Sequence, residues 1–115
     1  MQKFELNWTP FEAVAPERVT EGRPTTRLAE GVASDGYKAG LWEVTPGRFT
    51  TAPRGFDEVI HIVSGRGVLH SVDGTSVELV PGVSFLMKDG FVGEWEIQEP
   101  LRKFYAKVRT ATVDS

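Results

Sequence analysis

The sequence predicts an all-β domain, a sandwich or a barrel, on three observations. Twelve Gly and seven Pro are spread along the whole chain instead of gathering in one tract, which suits many short strands joined by tight turns. After Gly36, short apolar stretches recur at regular spacing with turn residues between them. No run supports a long helix.

The elements follow in order. Up to Gly36, Pro10, Pro16, Gly22 and Pro24 interrupt any periodic run, so residues 1–36 read as an extended N-terminal arm. Its Phe4, Leu6, Trp8 and Phe11 are too many apolar groups for a free tail and call for a surface to cover, on the barrel or on a partner subunit. Residues 13–19 accommodate one helical turn. Strands are expected at 38–45, closed by Pro46-Gly47, at 58–63, closed by Ser64-Gly65, and at 67–72, closed by Asp73-Gly74. An Asp-Gly between two alternating runs is a strong hairpin signal, because its residues accept the positive φ of a tight turn. Further strands are expected at 75–80 before Pro81-Gly82, at 83–87 before Asp89-Gly90, at 94–98 before Glu99-Pro100, and at 101–108. The barrel thus spans 37–109, and 110–115 form a loose tail.

Length and composition bound the answer. A chain of 115 residues, 40% hydrophobic and 25% charged, suits one domain that buries roughly two-thirds of its extended surface. Thirteen Lys and Arg are interleaved with sixteen Asp and Glu for a net charge of −3, which argues against nucleic acid or an anionic membrane as the main partner. The absence of Cys excludes disulfides, thiolate ligands and a cysteine nucleophile. The first nine residues hold no apolar run of signal length and no stretch is long enough for a membrane span. A soluble, cytoplasmic protein is expected.

Period-two alternation sorts side chains by face. Glu58, Ile60 and Ile62 share one face, and Val59, His61 and Val63 the other. Gly67, Leu69 and Ser71 alternate with Val68, His70 and Val72. Gly93, Trp95 and Ile97 alternate with Glu94 and Glu96, and Leu101, Lys103 and Tyr105 with Arg102 and Phe104. Some strands are apolar on both faces, so one face lines a barrel and the other meets a second layer, the arm or a partner subunit.

Three segments, Gly40-Leu41-Trp42-Glu43-Val44-Thr45-Pro46-Gly47-Arg48-Phe49, Asp57-Glu58-Val59-Ile60-His61-Ile62-Val63-Ser64-Gly65, and Gly93-Glu94-Trp95-Glu96-Ile97 followed by Arg102-Lys103-Phe104-Tyr105, resemble the cupin superfamily. The resemblance covers about residues 40–105 and is strongest to small cupins of unknown function related to the cupin domains of ureidoglycine aminohydrolase. It implies a double-stranded β-helix, the jelly-roll cupin barrel, and usually a dimer. A metal-binding cupin carries two His and a Glu in its first motif and a third His in its second, a donor set suited to divalent iron, manganese, nickel or zinc. Here only the Glu slot is filled, by Glu58. The His slots fall near Pro53 and Gly55 and on Gly93, so no metal and no other cofactor is expected.

The remaining polar groups each have a plain structural reading beside a functional one. His61 and His70, the only histidines, alternate away from Glu58 and Leu69 and suit the outer face far better than a metal site, although they are free to pair with each other. Trp42, Trp95 and Tyr105 form either an aromatic wall for a ligand or barrel filling. Glu58 and Lys103 are either an inconsequential ion pair or a pocket pair. Their inward alternation favours the second, since an unpaired charge there would be costly. Glu94 and Glu96 read as outward, solvated residues. Ser71 and Ser84 have no His or Asp at readable spacing.

The sequence therefore points to a metal-free, small-molecule-binding domain with a pocket lined by Trp42, Glu58, Trp95, Lys103 and Tyr105, and a small polar ligand of carboxylate or ureide type. The enzyme alternative is a hydrolase or isomerase on a ureide or small carbonyl compound, with Glu58 as general base and Lys103 as electrostatic stabiliser. A third possibility is a structural or interaction domain whose barrel is filled by side chains. A homodimer is expected, through Val59, Val63, Val68 and the aromatic arm.

Overall fold

A computed structural model describes residues 1–52 and 55–110. The slot expected near Pro53 and the tail beyond Thr110 lie outside the described residues. The strands are β1 (Glu12–Ala13), β2 (Val19–Gly22), β3 (Thr25–Ala33), β4 (Tyr37–Val44), β5 (Gly47–Thr50), β6 (Phe56–Ser71), β7 (Ser76–Leu79), β8 (Ser84–Met87) and β9 (Gly93–Arg109), with a 3-10 turn at Pro16–Arg18. All pairings are antiparallel, in the order β1-β3-β4-β9-β5-β2, while β6 pairs with β7, β8 and β9. The sheet curls into the expected β-barrel. Its inner faces supply one core in which Phe49, Ile60, Ile62, Leu79 and Leu101 are at most 1% exposed.

Two features differ from the sequence reading. The strands expected at 58–63 and 67–72 are one strand, β6, and those at 94–98 and 101–108 are one strand, β9. The expected breaks lie opposite each other, and the β6–β9 register shifts between Ile62 and Gly67. Gly65 has φ +97°, and a Cβ there would collide with the Pro100 carbonyl. Bulges at a glycine and a proline bend the two long strands together without ending either. Asp73-Gly74 behaves as expected: Gly74 has φ +93°, and Asp73 Oδ1 accepts the Thr75 N–H at 2.9 Å.

The second difference is in the arm. Within 1–36, β2 pairs with β5 and the nine-residue β3 pairs with β4. The sequence of β3 shows no apolar alternation, because its outer face carries Arg27, Ala29 and Gly31 and takes its apolar cover from elsewhere. The Trp8 and Phe11 rings lie 4.4 and 4.7 Å from the Arg27 guanidinium, and the Phe4 ring sits against Gly31. Thr9 fixes this segment, its N–H donating to the Leu28 carbonyl at 2.8 Å while its Oγ1 accepts the Leu28 N–H at 3.0 Å. The single turn expected in 13–19 is the 3-10 turn.

Candidate ligand cavity in the barrel

Strand register places the charged pair. On β9, Lys103 stands beside Trp42 of β4 and Ile62 of β6. On β6, Glu58 stands between Lys107 of β9 and Met87 of β8. Both point inward, and Lys103 Nζ lies 2.6 Å from Glu58 Oε2, with side chains 7% and 3% exposed. The ammonium is also 4.5 Å from the Trp42 ring centre and 4.9 Å from that of Trp95, within cation–π range. The two indoles are 5.6 Å apart, inclined at 42°. Tyr105 is buried, and its hydroxyl occupies the space that a Cβ at Gly40 would need. Burial, then the charges of Glu30 and Glu58, push its phenol up to about 12.

Trp42, Glu58, Trp95, Lys103 and Tyr105, the five residues expected to line a pocket, all border one cavity of about 260 Å³. Two cations that the sequence reading missed also line it, Arg18 and Lys107. Lys107 was findable, because it shares the alternation of Lys103 and Tyr105 along β9; its Nζ lies 5.0 Å from the Tyr105 ring centre and 4.8 Å from that of Phe56. Arg18 carries no sequence signal. It comes from the 3-10 turn, donates to the Thr50 carbonyl at 3.1 and 2.9 Å, and reaches the cavity because β2 pairs with β5.

The donor set does not fit a metal. Glu58 is held by Lys103, Gly55 and Gly93 offer no side chain, and a Cβ at Gly93 would meet the Phe91 ring at 2.7 Å. Both histidines face outward and do not pair with each other. His61 Nδ1 lies 2.6 Å from Ser84 Oγ, a neighbour that the sequence spacing did not show, on the outer face of β6 and β8. His70 Nε2 lies 2.8 Å from Glu96 Oε1. Among the described residues no group of three or more His, Cys, Asp or Glu converges. Glu94 and Glu96 face outward as expected but belong to a network: Arg48 Nε donates to Glu94 at 2.9 Å, Thr20 Oγ1 donates to Glu94 at 2.8 Å, and Arg48 Nη1 lies 3.5 Å from Glu96.

A curled antiparallel sheet enclosing a side-chain-lined cavity is the architecture of a cupin barrel. The chain belongs to the EutQ-like cupin domain family, which it matches over residues 32–105. No protein with a curated description matches it. Solved structures agree in fold. A protein of unknown function of the DUF861 family from Pseudomonas syringae superposes with TM-score 0.74 at 24% identity over 90% of this chain, which spans 44% of the length of that protein. A putative ethanolamine utilization protein Q from Salmonella typhimurium gives 0.66 at 15% identity, covering 94% of this chain and 98% of the other. Ectoine synthase from P. lautus gives 0.67 at 11% identity, covering 76% and 66%.

Proposed function

We propose that this chain is a metal-free, small-molecule-binding cupin domain whose barrel cavity takes a small carboxylate. The observation that carries this reading is charge: among the described residues the cavity is lined by three cations, Arg18, Lys103 and Lys107, and by one acid, Glu58. A cationic lining with aromatic walls favours an anion that accepts charge-assisted hydrogen bonds. Ureides are the second candidate chemistry, on the sequence resemblance to ureidoglycine aminohydrolase cupin domains. Binding is preferred to catalysis because Glu58 Oε2, on the candidate general base, is already engaged by the Lys103 ammonium at 2.6 Å. The cavity of about 260 Å³ lies just under the roughly 300 Å³ at which ligand sites begin and suits a ligand of few heavy atoms.

The test is an NMR titration of the intact chain with propionate and with propionamide, read at the tryptophan indole N–H resonances. Saturable shifts with propionate are expected. Propionamide should bind about fivefold more weakly, since exchanging a charge-assisted hydrogen bond of about 1.5–3 kcal/mol for a neutral one of about 0.5–1.5 kcal/mol costs about 1 kcal/mol. Equal response to both, or none to propionate, would overturn the reading.

The proposal includes a homodimer. Tyr37, Val59, Val63, Leu86 and Val108 are 44–54% exposed and occupy neighbouring positions on the outer face of β4, β9, β6 and β8, more contiguous apolar surface than a small monomer normally leaves in water. Val68, expected in the same surface, is half-buried beyond the β6 bulge, beside Glu78 and Glu96.

A further inference from the structure

Two indole faces and a buried carboxylate around one cation make up the chemistry by which proteins hold organic ammonium ions. That arrangement is present here with its cation supplied from the barrel wall. Lys103 Nζ stands 4.5 and 4.9 Å from the Trp42 and Trp95 ring centres and 2.6 Å from Glu58 Oε2, and the rings approach each other at 5.6 Å. The Glu58 and Lys103 charges match within this box. The rest of the charged lining, Arg18 and Lys107, is cationic.

We infer that Trp42, Trp95 and Glu58 form an ammonium-binding box that the chain fills with its own Lys103, and that Lys103 is thereby the residue setting the charge selectivity of the cavity, admitting carboxylates and refusing organic cations. The carboxylate half rests on the function proposed above; the box itself does not. Geometry also specifies the probe. Replacing Lys103 by Ala keeps Cβ and removes the remaining methylenes with the ammonium, a fragment equivalent to n-propylammonium. The space and the charge left behind match that ion.

The experiment compares the wild-type chain with Lys103→Ala, titrated with n-propylammonium chloride, sodium propionate, n-propanol and sodium chloride at matched ionic strength. Melting temperature and indole N–H resonances are read in each case. The variant should bind propylammonium at least about tenfold more tightly than the wild type does, the size expected when a cation–π box and its carboxylate become available, and should bind propionate more weakly than the wild type does, with only Arg18 and Lys107 left as cations in the lining. Where the variant is unfolded alone, propylammonium should restore a dispersed spectrum and a cooperative melt, and propanol and sodium chloride should not. Adding Trp42→Leu to the variant should abolish the gain. A folded variant indifferent to propylammonium, an unfolded one not restored by it, or a wild type that binds it equally well overturns the box. Failure of propionate on the wild type would overturn the carboxylate reading alone and leave the ammonium result to stand or fall by itself.

Discussion

Two sets of charged contacts are built on β9, one on each face of the sheet. Inside, Lys103 and Glu58 meet at 2.6 Å with 7% and 3% of their side chains exposed. Outside, Glu94 and Glu96 meet Arg48 and His70 with side chains 24–40% exposed. The inner pair has lost its hydration and depends on its partner and on the two indoles for compensation, whereas water and salt share the work on the outer face. Charged residues on opposite faces of one strand therefore carry very different energetic weight.

The largest effect is expected from removing one inner partner. Lys103→Met leaves Glu58 buried and uncompensated and should destabilise by about 3–5 kcal/mol in urea unfolding, with part of the loss recovered when Glu58→Gln is added. A loss under about 1 kcal/mol would place the pair in the surface class. Next in effect is the apolar outer face. Val59→Lys should convert the proposed dimer to a 12.7 kDa monomer in light scattering, and an unchanged mass would show that this face is not an interface.

Tyr105 extends the contrast to alkaline pH. Its phenol is raised to about 12, chiefly by burial, so the folded chain retains a proton that the unfolded chain releases above about pH 10. Stability is full below that value and declines as pH climbs from about 10 to 12. Ultraviolet titration should show a phenol ionising at about 12, and Tyr105→Phe should abolish that phase.

The smallest effects belong to the outer network. Hydrogen bonds hold the Glu94 and Glu96 carboxyls below their ordinary range, from Thr20 and then Arg48 for the first and from His70 and then Gln98 for the second. Their stabilisation is complete above the unfolded value of about 4.3 and is lost as pH falls below it. Glu94→Gln and Glu96→Gln should each cost no more than about 1 kcal/mol at neutral pH and nothing in acid. Larger losses would show that the outer face is less solvated than its exposure indicates.

Inward and outward positions were legible wherever a strand alternates. Lys103, Tyr105, Trp95 and Glu58 fall where period-two counting puts them, because a strand with one face in a core cannot slip by one residue without exposing that face. The turn dipeptides were legible as local geometry. Ser64-Gly65 and Glu99-Pro100 mark real irregularities, but whether a bulge ends a strand or bends it depends on the facing strand, which the local sequence does not contain. β3 was illegible because its apolar cover comes from Phe4, Trp8 and Phe11, and Arg18 because its place at the cavity follows from the long-range pairing of β2 with β5.

On the function proposed above, the cavity beside Glu58 and Lys103 receives a small carboxylate. A crystal structure of the chain soaked in propionate tests it most directly. The carboxylate is expected within hydrogen-bonding distance of at least one of Lys103, Lys107 and Arg18, with its alkyl group against Trp42 or Trp95 and the Glu58–Lys103 pair intact. A cavity closed by side chains, or propionate held only elsewhere on the molecule, would contradict it.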